Sequence, residues 1–452
     1  MSSGGTVLTG APAEGGVRAP ARERTPTAIR VLQVFAVTLF VLPSFTTLDV
    51  IGAAAYPAGF IGFGALLLWV IWIALGSHDF VGMRNPTRVA FGAVWLASLL
   101  SYTSSAFSDR TGIEIRGADR WLLFLASVSG VYVLASECLP SLDAIKRVLR
   151  GVMLGASLCS VVAMFQFFMR LDLTPFLGRI IPGFTFHDDL GGIENRSGLN
   201  RVAGTTLHPL ELGTTCAMLL PVAVWWALSD RELARWKRLL PPMLIGLGAA
   251  LSVSRAAVIG VAVAMILFII LLPPRERLIG LASIPVALAG VFLTVHGLIA
   301  TLTSYFSSAS TDPSITTRTD NYDLVSQLVS KHPWFGTGGG TYLPDSVLQV
   351  LDNAYLKWAV EFGIFGLVLL IIFFYGVPAA AALSVRRRTE SAEMRALAGA
   401  LFAGIMSAAA TTFTYNALSY PVYFSVLALI IGFTGACWRM TGPTSGLQPE
   451  GN

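Results

Sequence analysis

Charge is what this chain has least of. Only 13% of its 452 residues are Asp, Glu, Lys or Arg, against 54% hydrophobic residues, and the mean hydropathy is +0.68. Soluble domains carry roughly twice that charged fraction, so the composition excludes an ordinary soluble enzyme and points to the membrane. The depletion has a physical cause, because a charge at the centre of a spanning helix costs about 3 kcal/mol on the insertion scale. Lysine is nearly missing, with only Lys146, Lys237, Lys331 and Lys357. Cysteine is scarce too: Cys138, Cys159, Cys216 and Cys437 lie far apart in or beside apolar runs. That spacing implies neither a metal site nor a disulfide framework. The pI near 9.1 does not imply a nucleic-acid partner, since the basic residues sit in short connections between apolar runs.

What is present is a series of long apolar runs. Residues 1–29 are rich in Gly, Ala, Pro and Arg without apolar periodicity, and read as a disordered cytoplasmic tail. The first run begins at Val31 with no convincing cleavage site after it, so it reads as a retained span. Runs near 31–46, 53–76, 89–106, 121–137, 149–169, 209–228, 239–253, 256–272, 279–298, 354–377, 395–413 and 418–437 suit helices crossing a hydrocarbon core of about 30 Å. The expected fold is an all-α polytopic membrane bundle of about twelve helices over 30–440, with a second cytoplasmic tail at 441–452. Placing the N-terminus inside puts 20 of the 31 basic residues on the inner side, which the positive-inside rule favours. The long segments 170–208 and 299–353 then face outward. They carry Trp, Phe, Tyr, Pro and Gly, so they read as functional loops folded against the bundle.

The polar residues of interest lie in or beside those loops. Arg201 stands in NRVAGTTLHPLELG, Arg255 follows Ser254 between two apolar runs, and Arg318 stands in SITTRTDNYD. A guanidinium at the outer boundary matches phosphate oxygens, which it binds bidentately; snorkelling or an ion pair is the alternative. Arg170, Arg179 and Arg196 read as solvated loop charges. The run HPWFGTGGGTYLP (332–344) has no preceding strand and no lysine after its last glycine, so it is no phosphate loop of the Walker type and reads as a tight turn. Asp352 and Asn353 stand where the outer loop meets the tenth span. They suit either a helix N-cap or a carboxylate that orients and deprotonates a hydroxyl, with Asn353 beside it. Glu361 lies about two and a half turns further in, where it would pair with a cation or line a polar pocket. His208 and His332 are candidate acid–base groups, and His187, Asp188 and Asp189 form a polar cluster too loosely spaced for a metal claim.

Taken in order, these segments resemble the O-antigen ligase and polymerase family of bacterial glycan-building membrane enzymes. The resemblance rests on Arg201-Val-Ala-Gly-Thr, on Ser254-Arg255, and on Arg318 followed by Pro333-Trp-Phe-Gly-Thr-Gly. It rests also on Asn353-Ala-Tyr-Leu followed by Glu361-Phe-Gly-Ile-Phe-Gly. It covers roughly residues 195–375, and it implies a GT-C-like bundle in the bacterial cytoplasmic membrane. The implied reaction is an inverting, metal-independent and cofactor-free glycosyl transfer from a polyprenyl-diphosphate-linked glycan, at the outer face, to a glycan or lipid-glycan acceptor. Arg201 and Arg255 would hold the diphosphate with Arg318 assisting; Ser254, His208 and Glu361 would support. Asp352 occupies the place where ligases carry a histidine, which favours polymerase-like relatives.

Three other readings fit a twelve-span chain. A transporter or flippase of lipid-linked glycans would show repeat-related halves and charges near the midplane, and neither is evident here. A peptidoglycan glycosyltransferase of the cell-shape type would also use an outer-loop carboxylate, but the Ser-Arg pair and the Glu-x-Gly-x-x-Gly run fit it less well. A non-catalytic scaffold is the plainest alternative.

Overall fold

A computed structural model describes residues 21–48, 55–76, 85–106, 111–187, 190–196, 199–294, 313–343 and 351–442. Asp188 and Asp189 lie outside these residues, as does most of the first tail and nearly all of the second. Helices occupy all twelve of the apolar runs. They are α1 Ala21–Val41, α2 Pro57–Ala74, α3 Pro86–Ala106, α4 Gly112–Glu137 and α5 Leu142–Met164. After a short helix α6 (Thr174–Gly178) come α7 Pro209–Ser229, α8 Arg235–Leu251, α9 Arg255–Leu271 and α10 Pro274–Thr294. Helix α11 (Pro313–Lys331) falls inside the second long loop, and α12 Ala354–Leu369, α13 Val377–Arg388, α14 Ala392–Thr412 and α15 Pro421–Thr441 complete the bundle. Seven of these segments are long and apolar enough to cross a membrane, α12 and α13 counting as one through an intervening π-helical stretch. The chain is a multi-pass, all-α membrane protein.

Two expectations shift. Helix α1 starts at Ala21, so the end of the segment read as a tail is already helical. The loop 299–353, read as lacking regular structure, contains α11; its polar sequence hides the helix, because Thr and Asp-rich turns carry little apolar periodicity.

The helix starts are written in the sequence. Thr111 accepts from the Glu114 N–H while Glu114 reaches back to the Thr111 N–H at 2.8 Å, a reciprocal cap for α4. Ser141 caps α5 and Ser391 caps α14. Proline opens α2, α7 and α15, where its missing N–H costs no hydrogen bond. Helix α15 is the axis of the bundle: 94% of its apolar window is buried, against α4, α7, α13 and α14. At the end that the charge count assigns to the cytoplasm, buried acids hold basic residues. Glu137 accepts from Arg88 Nε at 2.8 Å and from Trp69 at 2.8 Å, and Asp230 takes both Arg150 Nε and Nη2, at 2.8 and 3.0 Å.

The loop 170–208 folds onto the opposite end. Strand β1 (Thr46–Thr47) pairs with β2 (Thr185–Phe186), and β3 (Ile193–Arg196) pairs with β4 (Leu199–Val202) in an antiparallel hairpin. His187 Nε2 meets the Thr47 hydroxyl at 2.9 Å, so it serves that docking.

Candidate functional site

The hairpin register puts Arg201 opposite Glu194. Arg201 is 6% exposed, and its Nη1 donates to Glu194 Oε2 at 3.2 Å. The four residues after it explain why it is so fixed. Gly204 takes φ +60°, and a Cβ there would lie 2.8 Å from the Cys159 carbonyl oxygen, so only glycine fits. Gln166 then clamps both backbone groups of Gly204, accepting from its N–H at 2.8 Å and donating to its carbonyl at 3.0 Å. The Thr205 hydroxyl donates to the Phe40 carbonyl. The Arg-x-x-Gly-Thr pattern is thus a device that welds the strand carrying Arg201 to α1 and α5.

His208 caps α7. Its Nδ1 accepts from the Leu210 N–H at 3.0 Å, which leaves Nε2 as the protonated nitrogen, 3.2 Å from Glu194 Oε1. Burial lowers the His208 pKa below the usual imidazole range. Arg201 acts the same way, while Glu194 and Asp352 oppose the shift. His208 is therefore neutral at pH 7, a fixed donor on one side and a helix cap on the other. Tyr420 lies beside it, ring centroids 6.2 Å apart. The Tyr420 phenol is raised above its usual range by burial first, then by the charges of Glu211, Asp352 and Glu194.

Asp352 is exposed and acts electrostatically on both His208 and Tyr420. The cap of α12 belongs to Asn353, whose Oδ1 accepts from the Tyr355 N–H at 3.0 Å. That separates two roles the sequence left joined: Asn353 is committed to the backbone, and Asp352 is left exposed.

The Ser254-Arg255 pair forms a tight connection between α8 and α9. Val253 has φ +44°, a left-handed conformation that is costly for a β-branched residue. Ser254 is 4% exposed, and its hydroxyl has no hydrogen-bond partner among the described residues. Arg255 is half-buried and is the first residue of α9. A cation at a helix N-terminus opposes the macrodipole, so its charge adds to a positive end instead of offsetting one. The turn lies against α7: a Cβ on Gly213 would fall 2.3 Å from the Ser252 hydroxyl.

Residues 242–371 match the family model described as O-antigen ligase. They contain Ser254, Arg255, Arg318, Asp352, Asn353 and Glu361. No curated protein matches the chain.

Within the matched segment, the glycine-rich turn and the Glu361 helix interlock. Gly363 takes φ +68° and breaks α12, and the turn supplies the missing hydrogen-bond partners. The Pro333 carbonyl accepts from the Ile364 N–H at 2.8 Å, and the Trp334 carbonyl accepts from the Phe365 N–H at 3.3 Å. In return the Gly338 N–H donates to the Glu361 carbonyl at 2.9 Å. Glu361 itself is buried, 3.5 Å from Lys357 Nζ, and accepts from the Tyr342 N–H at 3.3 Å. The two motifs are one joint. His332 is half-buried at the start of this turn. Arg318 lies on α11, and its side chain is outside the described residues.

Three contributors escaped the sequence reading: Glu194, Tyr420 and Glu211. Glu211 had a signal, since His208-x-x-Glu has the spacing of a reciprocal helix cap. Fully buried, its carboxylate accepts from the Leu207 N–H at 2.8 Å and from the Val422 and Tyr423 N–H groups at 2.7 and 3.3 Å. It thereby ties the start of α7 to the start of α15. Glu194 and Tyr420 gave no such signal, because only the hairpin and the turn before α15 bring them to His208.

Proposed function

We propose that this chain is a membrane glycosyltransferase that transfers or polymerises a polyprenyl-diphosphate-linked glycan during cell-surface polysaccharide assembly. The reaction takes place at the outer face of the bacterial cytoplasmic membrane, with both termini cytoplasmic. The observation that carries this reading is a pair of arginines near the start of α7: Arg201, whose partner Glu194 also meets the α7 cap His208, and Arg255, beside the turn that lies against Gly213. One is nearly buried and the other follows a strained turn with an unmatched serine hydroxyl. A diphosphate-linked sugar needs little more than positioning and stabilisation of the charge that grows on its leaving group, and fixed guanidinium groups in a poorly hydrated site supply both. Ser254 would donate to a phosphate oxygen, and the resemblance implies that Arg318 assists. Asp352, with Asn353 fixing the start of α12, would orient the acceptor hydroxyl and take its proton late. The attack inverts the anomeric carbon, and the resemblance implies that neither metal nor cofactor takes part.

The test is chemical. Purified full-length protein is mixed with a polyprenyl-diphosphate oligosaccharide and a glycan or lipid-glycan acceptor. The expected products are free polyprenyl diphosphate and a longer or transferred glycan. A transporter would leave the diphosphate–sugar bond intact, and that result would remove the proposal.

A further inference from the structure

Glu194 has no part in the reaction as proposed, yet it holds the centre of the site. Its carboxylate oxygens are divided between two donors, Oε2 at 3.2 Å from Arg201 Nη1 and Oε1 at 3.2 Å from His208 Nε2. Both donors are held by other parts of the fold. Arg201 is 6% exposed on a strand pinned by Gln166 and Thr205. His208 has its other nitrogen committed to the Leu210 N–H, so its ring cannot turn without uncapping α7. Glu194 is the least confined of the three, with its side chain 40% exposed.

Two fixed N–H donors aimed at two oxygens on one central atom is also the arrangement that binds a phosphate group. A carboxylate fills it with one negative charge; a diphosphate brings more charge and further oxygens for Arg255. We propose that Arg201 and His208 are two arms of a phosphate site, and that Glu194 occupies the site until the donor's phosphate displaces it. This rests on the reading of Arg201 as a diphosphate ligand and adds His208 as a second ligand and Glu194 as a competitor. The consequence is selectivity: a weakly charged anion gains nothing by replacing the carboxylate, whereas a diphosphate does.

Isothermal titration of the purified full-length protein with inorganic pyrophosphate tests this. Glu194→Gln keeps the side-chain length and removes the competing charge, and pyrophosphate should then bind about tenfold more tightly. His208→Asn keeps a side-chain oxygen to cap α7 and loses the Nε2 donor, so binding should weaken by about tenfold. Unchanged or weaker binding by a folded Glu194→Gln protein overturns the proposal, as does absence of binding by both it and the unaltered protein. Should Glu194→Gln not fold, unchanged affinity in His208→Asn overturns it instead. Failure of the underlying reading shows elsewhere, as loss of glycan transfer by the unaltered protein.

Discussion

At the scale of the residue, the site is built from pairs whose members divide their work. Asn353 gives its oxygen to the Tyr355 N–H, so neighbouring Asp352 is spared for the solvent side. Asp352→Asn therefore leaves the start of α12 capped. Its thermal stability should stay within the range of about 0.5 kcal/mol typical of exposed positions, while glycan transfer falls. Full transfer activity in Asp352→Asn would remove the carboxylate from the mechanism, and a large loss of melting temperature would mean that it is structural. Arg201 and Arg255 were legible in the sequence because arginine at an outer boundary is costly and specific. Glu194 was not, since a glutamate in a polar loop carries no signature until a hairpin sets it against an arginine seven residues away. Tyr420 was hidden in the same way, in the turn before the most buried helix.

At the scale of the element, short motifs proved to be joints. The run of glycines after Pro333 reads in isolation as a turn, and it is one. Its further role, replacing hydrogen bonds lost at Gly363 in α12, requires knowing that the two segments touch. A Cβ on Gly363 would lie 2.4 Å from the Trp334 carbonyl, at a φ of +68° that L side chains rarely adopt. Gly363→Ala should thus destabilise the protein by about 2 kcal/mol or more, seen as a lower melting temperature in detergent. A melting temperature equal to that of the unaltered protein would show that α12 does not need the break. That the apolar runs are helices was the easiest part to read, because hydrophobic length survives without tertiary context; among the described residues seven, against the twelve expected, are long and apolar enough to cross a membrane. Helix α11 was the hardest, its turns too polar to betray a period.

At the scale of the whole molecule, the bundle separates two ends. One is fastened by buried ion pairs such as Arg88–Glu137 and Arg150–Asp230. The other gathers the hairpin, the Ser254-Arg255 turn, the cap of α12 and the turn before α15. Glu211 links the start of α7 to the start of α15 at that second end through one buried carboxylate. The arginines at this end are proposed to hold the donor's diphosphate. Glycan transfer by the unaltered protein is to be compared with that by Arg201→Ala and Arg255→Ala, each verified to be folded. Each substitution should lower turnover by about a hundredfold or more, the scale expected for removing one charge-stabilising donor. Full turnover in both variants would contradict that proposal.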